Sequence, residues 1–362
     1  MHSFHLIEKG LNELLHRCQN VCIVFSGGKD STALTFSVLN ALSRERKKLQ
    51  KVWIVYVDTL VDPPPLSQAA LRSIELFRKL YKDAGIKLST VILTPPVKDR
   101  FWTLLIGKGY PPPSFRFRWC TERLKVRPVK SFLKKLRIET GNYPVVLSGV
   151  RLSESPDRRK NLSRHLIKDG WMKYRGLDQC MVYAPLLKLQ TAEIWEYLEF
   201  NEEKWNISLQ HLKDLYLYPA HIDGRTGCWV CTVVRKDQTL ERLAKMSPSL
   251  TPLVEFREYL LSIRDDSRLR EVVKKDGKSY RGPLKMHVRE SILNRLTKFL
   301  KLSPEEREII RTIWQNEQRG TSKQAEKGNS NNKKCLSPAS SCKKPQGKPL
   351  RSEGNKRNAC YG

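Results

Sequence analysis

Val21-Cys-Ile-Val-Phe-Ser26-Gly27-Gly28-Lys29-Asp30-Ser31-Thr32 decides how this chain is read: an apolar run breaks into two glycines and then into a helical pattern. Val21 to Phe25 has the character of a buried strand and Ala33 to Leu42 that of a helix, which puts the glycines on the turn between them. Such a turn brings bare backbone N–H groups and a helix N-terminus to one point, a setting that suits an anion, phosphate most of all. A Cβ at the glycines would obstruct that approach. The spacing is neither GxxxxGK[ST] nor GxGxxG, so the loop belongs to neither of those phosphate-binding classes.

Working outward, Val52–Val57, Leu88–Leu93 and Pro144–Ser148 are further apolar runs, and proline-bearing Val182–Leu186 reads as an edge strand. Helical patterns separate them at 4–19, 67–83, 126–136 and 191–198, the last with Thr191 as N-cap. Buried strands alternating with helices predict an α/β fold, an open and mostly parallel sheet with helices on both faces. From Asn201 the strand pattern gives out and helical runs follow, while the stretch beyond Arg319 has almost no large apolar residues and is expected to be disordered. The organisation predicted is a nucleotide-binding α/β domain over 1–200, a helical extension over 201–319 and a disordered basic tail over 320–362.

Open α/β sheets bind ligands at the C-terminal ends of their strands. Asp58, just past Val57, therefore reads as a nucleotide or magnesium ligand in preference to a helix cap or a solvated loop acid. Arg151 follows the strand ending at Ser148, where a guanidinium fork can clamp a phosphate oxygen. The segment Ser114-Phe-Arg116-Phe-Arg118-Trp119-Cys120-Thr121-Glu-Arg123-Leu-Lys125 interleaves arginines with aromatics. Either it is a nucleic-acid or nucleotide surface, or it is a helix entry with solvated arginines.

The 362 residues carry a net charge of +30. Ten basic and two acidic residues in 321–362 account for +8 of it, which leaves +22 on the rest, so the body itself is basic. A polyanionic partner is implied, nucleic acid first, with binding that weakens as salt rises. No apolar run approaches the roughly 20 residues needed to span a bilayer, and the N-terminus lacks a signal-peptide core. The expectation is a cytoplasmic protein without a membrane partner, whose nine cysteines are ligands, redox groups or buried residues in preference to disulfides.

Cys228-Trp-Val-Cys231 taken alone is a zinc half-site, a redox pair, two cluster ligands or nothing. No second CxxC accompanies it, which weakens the zinc reading. Cys120, Cys180, Cys228 and Cys231 lie near recognisable motifs and make four, the number a [4Fe–4S] cluster takes. Cys18 and Cys22 read as structural, and Cys335, Cys342 and Cys360 fall in the tail.

The SGGKDST loop resembles that of the ATP pyrophosphatase (PP-loop) superfamily. Taken with DTLVDPP, FRWCTERLK, SGVRLSES, GCWVC and Arg281-Gly-Pro-Leu284, the chain looks like the DNA phosphorothioation sulfurtransferase family, a relative of phosphoadenylyl-sulfate reductase, over roughly Val21 to Leu300. The resemblance implies cleavage of Mg-ATP to AMP and pyrophosphate, activation of an oxygen for replacement by sulfur, and an iron–sulfur cluster. It implies DNA, a cysteine desulfurase and other phosphorothioation-complex subunits as partners. Ser26, Gly27, Gly28, Asp30, Ser31 and Arg151 match the family's ATP-binding positions, with Thr32 and Asp58 completing the candidate nucleotide set. Lys29, Asp30 and Arg151 are the candidate catalytic groups. Cys120, Cys228 and Cys231 match cluster positions, and Cys180 is added by count. An adenylyl-sulfate reductase, a tRNA thiolase and a nucleic-acid-binding subunit with a decayed loop are the alternatives.

Overall fold

A computed structural model describes residues 2–18, 20–44, 51–154, 159–160, 162, 164–174, 176–220, 227–275 and 278–332, with backbone alone at 178, 274–275 and 320–332. Asp157, Arg158 and the three tail cysteines lie outside the described residues. Met1–Ile313 forms one compact unit and Trp314–Gly362 a second.

Seven strands form one sheet: β1 (Asn20–Phe25), β2 (Lys51–Val57), β3 (Leu88–Leu93), β4 (Val145–Ser148), β5 (Leu166–Lys168), β6 (Trp171–Tyr174) and β7 (Leu177–Tyr183), in the order β3-β2-β1-β4-β7-β6-β5. The first five in that order pair in parallel, while β6 and β5 are antiparallel. This is the open, mostly parallel α/β sheet expected from the apolar runs. The chain leaves β1 for β2 on one side and returns to β4 on the other, so a topological switch point lies between β1 and β4, where Val24 pairs with Ser148.

Alternating residues pack both sides of the sheet. Phe25 meets Phe77 of α3 (Pro64–Asp83) edge-on at 6.1 Å, and Phe77 meets Phe36 of α2 (Lys29–Ser43) at 4.9 Å. Cys22, Val55 and Val146 share a core cluster with Val129 and Leu133 of α4 (Arg127–Thr140), and Trp53 meets Phe132 at 5.6 Å. Every residue of β1 from Val21 to Ile23 is fully buried. The absence of alternation in the sequence is thus the signature of a strand covered on two faces.

Two local readings are corrected. β7 is interior, paired with both β4 and β6, because it ends at Tyr183 and Pro185 falls beyond it. The N-cap of α5 (Thr191–Trp205) is Gln190, which forms a reciprocal capping box with Glu193, and Thr191 is the first helical residue. Beyond it come α6 (Gln210–Tyr216), α7 (Gln238–Met246), α8 (Thr251–Arg264), the hairpin β8 (Arg270–Lys275) and β9 (Lys278–Leu284), α9 (Met286–Leu296) and α10 (Pro304–Asn332). The hairpin interrupts a region expected to be wholly helical. Its exposed Val272, Val273 and Tyr280 give it no core-facing alternation to read. Among the described residues no helix is long and apolar enough to cross a membrane.

A buried polar knot joins α1 (His2–Arg17), α2 and α5. The Asn40 amide donates to Glu8 Oε1 at 3.0 Å and Asn201 Oδ1 at 2.9 Å, and its oxygen accepts from Lys204 Nζ at 2.7 Å. Tyr197 donates to Glu8 Oε1 at 2.5 Å. Removing one member leaves buried partners unsatisfied, so Asn40→Ala should cost about 2–4 kcal/mol, read as a lower urea midpoint. An unchanged midpoint would show that the knot adds nothing to stability.

Candidate nucleotide site and cysteine cluster

At the switch point a cavity of about 700 Å³ opens at the ends of β1, β2 and β4. Its volume falls in the range of small-molecule and cofactor pockets. Ser26, Gly28, Lys29, Asp30, Ser31 and Arg151 all line it. Gly27 and Thr32 stand behind this wall. Gly27 turns the loop with φ +78°, and a Cβ there would lie 2.4 Å from the Ala70 Cβ of α3. The side chains of Ser31 and Thr32 both donate to the Gly28 carbonyl, at 2.9 and 3.0 Å, and tie the loop to the first turn of α2. That turn delivers its N–H groups and the positive end of the helix dipole to the cavity.

Arg151 is 1 % exposed and fully engaged. Its Nε donates to Asp30 Oδ1 at 2.6 Å, and its other nitrogens reach Ser153 Oγ at 2.7 Å, the Leu189 carbonyl at 3.1 Å and Thr191 Oγ1 at 3.3 Å. Instead of reaching out as a free clamp, it fixes the Asp30 carboxylate. Lys29 Nζ lies 3.7 Å from the other Asp30 oxygen and 4.6 Å from the centre of the Tyr216 ring, while the Tyr216 hydroxyl accepts from the Lys29 backbone N–H at 3.3 Å. Asp58 is not among the lining residues. Its Oδ1 accepts from the Leu60 N–H at 2.9 Å and closes the turn after β2. The carboxylate from that loop that does line the cavity is Asp62.

Sequence reasoning also missed Gly149, whose hypothetical Cβ would meet the Asp30 carbonyl at 3.0 Å, along with Glu154, Lys125 and Tyr216. A glycine two residues before a strand-end arginine was the available signal for the first. The others come from segments that the fold alone brings together.

Three of the four candidate cysteines gather beside this cavity. Cys231 N–H donates to the Cys228 carbonyl at 3.0 Å, and Trp229 N–H donates to the Val61 carbonyl at 3.1 Å, which hangs the CxxC turn on the loop after β2. Trp229 is buried against Trp102 and Phe256. Thr59 Oγ1 lies 3.7 Å from Cys228 Sγ. Cys120 opens the π-helical turn Thr121–Val126, which carries Lys125 to the cavity wall. Cys228 above all, then Asp62, Cys120 and Cys231, hold the Lys125 ammonium above the ordinary lysine pKa against the pull of desolvation. Burial pushes the Cys120 thiol up, helped by Cys231, and pushes Cys228 up more strongly despite Lys125.

Cys180 is elsewhere. It was expected on a loop before a strand, yet it lies within β7, fully buried in the core cluster that holds Cys22, and burial raises it to about 11. The arginine-aromatic segment divides. Trp119 is core, and Arg123 and Arg127 both bind buried Asp99, at 2.7 and 3.5 Å, while Phe115 to Arg118 are exposed.

The chain belongs to the phosphoadenosine phosphosulfate reductase domain family, whose sequence profile matches residues 20–234. It is thereby a PP-loop protein. It is similar to the uncharacterized protein MJ0066 of Methanocaldococcus jannaschii, 26% identical over 244 residues that make up 66% of this chain and 42% of the relative. It is also similar to MJ0973 of the same organism, 25% identical over 249 residues, 68% of this chain and 50% of the relative. The chain thus spans about half the length of the curated relatives it matches. Among solved structures, the U34-tRNA thiolase NcsA from Methanococcus maripaludis with its [4Fe-4S] cluster aligns with a TM-score of 0.36 and 13% identity over 72% of this chain and 80% of that one. NMN synthetase from Francisella tularensis aligns with a TM-score of 0.34 and 10% identity over 76% and 98%.

The close packing behind Gly27 gives a direct test. Gly27→Ala combines a positive φ with a clash on Ala70, and should weaken binding of a non-hydrolysable ATP analogue at least about tenfold by displacing the anion-binding turn. Adding Ala70→Gly should recover part of the loss in calorimetric titration. Equal affinity in wild type and Gly27→Ala would show that the turn does not contact the nucleotide.

Proposed function

We propose that the protein is an ATP-dependent sulfurtransferase acting on the DNA backbone. The observation that carries this reading is the adjacency of two sites: a cavity built around a PP-loop, and cysteines beside its wall, where Cys228 follows the lining residue Gly227 and Cys120 opens the turn that brings Lys125 to the cavity. The basic body favours a nucleic acid as the oxygen donor.

In this reading the Gly28 turn and the N-terminus of α2 hold the pyrophosphate of ATP, and Asp30 and Asp62 hold Mg²⁺ together with phosphate oxygens. Arg151 and Lys29 hold the Asp30 carboxylate in place from either side. A non-bridging oxygen of a DNA phosphodiester attacks the α-phosphorus and pyrophosphate departs. The outer sulfur of a persulfide then forms a bond to the DNA phosphorus as AMP leaves with the oxygen, and a dithiol reductant cleaves the remaining S–S bond, which frees the phosphorothioate and oxidises the dithiol to a disulfide. The protein contributes positioning and charge neutralisation, and no side-chain nucleophile is needed. A cysteine desulfurase supplies the sulfur, and the other subunits of a phosphorothioation complex complete the assembly.

The donor chemistry of Cys120, Cys228 and Cys231 suits an iron–sulfur cluster. Among the described residues no group of three or more His, Cys, Asp or Glu side chains is spaced to hold a metal ion. A cluster, unlike a single ion, takes its cysteine thiolates on separate irons. These three cysteines would hold it, and bound there it would supply sulfur-carrying or electron-transfer chemistry. Anaerobically purified protein should therefore contain iron that is lost on Cys120→Ser, Cys228→Ser or Cys231→Ser and kept on Cys180→Ser. Stoichiometric zinc with no iron after anaerobic reconstitution would defeat this assignment.

The reading as a whole is tested with [α-³²P]ATP and duplex DNA, followed by mass spectrometry of the nuclease digest. AMP, pyrophosphate and a sulfur-containing dinucleotide are expected. ADP with orthophosphate would overturn the mechanism, and sulfur appearing in tRNA instead would favour a tRNA thiolase. Reduction of an adenylyl sulfate without pyrophosphate release would restore the reductase alternative that the family name suggests.

A further inference from the structure

A second cavity, of about 650 Å³, lies apart from the nucleotide site, and five arginines and one aspartate contribute to its walls. Four separate stretches build it: the loop 111–117, the segment 233–235 after the CxxC, the end of α8, and the β8–β9 hairpin. Phe115 and Phe117 stand on its edge 62% and 48% exposed, a costly placement for two phenylalanines unless they meet a partner. The Arg118 guanidinium covers one face of Phe115, 5.0 Å from its centroid.

Hydrogen bonds from buried groups tie the segments of the groove together. Buried Arg257 donates to the carbonyls of Cys231, Val234 and Arg235, at 2.8, 2.6 and 3.2 Å. Thr232 Oγ1 donates to the Pro113 carbonyl at 2.6 Å, which locks the 111–117 loop to the CxxC segment, and Arg264 donates to the Thr232 carbonyl. Arg264 spends its charge on Asp265, but Arg116, Arg235 and Arg281 form no salt bridge with any described residue. Desolvation, and after it the neighbouring Arg281, lowers the Arg270 pKa. The groove also shares its backbone with the cysteines: Phe117 is three residues before Cys120, and Val233 two after Cys231.

We propose that this groove binds a single-stranded stretch of DNA, with unstacked bases on Phe115 and Phe117 and phosphates on Arg116, Arg235 and Arg281. Unpaired bases are required because ring faces beside a cationic channel are usable only by bases that have left a helical stack. Duplex DNA offers its phosphates but no such faces. The choice of DNA over RNA rests on the proposed function. The groove would feed a backbone phosphate past Cys120 and Cys231 toward the nucleotide cavity, and so would require local opening of the duplex before sulfur is inserted.

The test is fluorescence anisotropy of the full chain with a labelled oligothymidylate of about twelve nucleotides, within the site sizes known for such grooves, against a hairpin duplex of similar charge. Single-stranded DNA should bind more tightly. The double variant Phe115→Ala, Phe117→Ala should lose at least about tenfold in oligothymidylate affinity, with duplex binding unchanged and Phe115→Trp, Phe117→Trp restoring it. Arg235→Gln with Arg281→Gln should weaken binding and flatten the salt dependence by about 1.4 in log–log slope, the contribution of two phosphates on a single strand. Duplex preference, aromatic variants within twofold of wild type, or tighter binding of the matching oligouridylate would each overturn the proposal. No ATP, iron or sulfur donor is present, so failure of the proposed chemistry with this binding intact is seen separately from failure of the groove.

Discussion

The ion pair between Asp30 and Arg151 is the constraint on which the rest of the nucleotide site depends. It crosses the switch point and joins the first turn of α2 to the segment after β4, with a 2.6 Å contact between a guanidinium and a carboxylate in a nearly closed setting. A buried arginine is tolerable only when its donors are satisfied, and here a carboxylate, two hydroxyls and a carbonyl do so. That requirement sets the approach of β4 to α2, and Gly149 is the residue small enough to permit it. The anion-binding turn, the carboxylate and the cavity floor therefore have one geometry and not several.

Much of this could be read from the chain because the strands are buried on both faces. A run such as Val52–Val57 carries no alternation, and that alone argued for a covered parallel sheet. The SGGKDS turn was legible for a different reason, since a strand, two glycines and a helix start form a local unit that needs no tertiary information. Where the reading failed, the missing information was tertiary. Asp58 and Asp62 are both acids past the end of β2, and only the turn that Asp58 closes upon itself decides which of them reaches the cavity. Cys180 counted correctly toward four, but a one-element shift of β7 relative to Pro185 moved it from a loop into the core.

The arginine-aromatic segment is instructive because it divides into a packed half and an exposed half. Arg123 and Arg127 are spent on Asp99, and Trp119 is packed on Phe101 at 5.2 Å, so half of the motif is architecture. Phe115 to Arg118 remain outside, and their basic companions come from positions more than a hundred residues later. No local pattern can report a surface assembled in that way.

Lys29 and Tyr216 are 187 positions apart, and the tyrosine completes the loop both by accepting from the Lys29 backbone and by lying under its ammonium. Arg151 likewise waits for the Leu189 carbonyl and Thr191. During synthesis the glycine turn leaves the ribosome well ahead of the groups that finish it, the last of them Tyr216. With chains made at about 5–20 residues per second, the nascent protein passes roughly 10–40 s with its glycine turn unfinished. The turn is thus finished by a residue that lies beyond the last strand of the sheet, so its geometry is settled only after every strand of that sheet has been made.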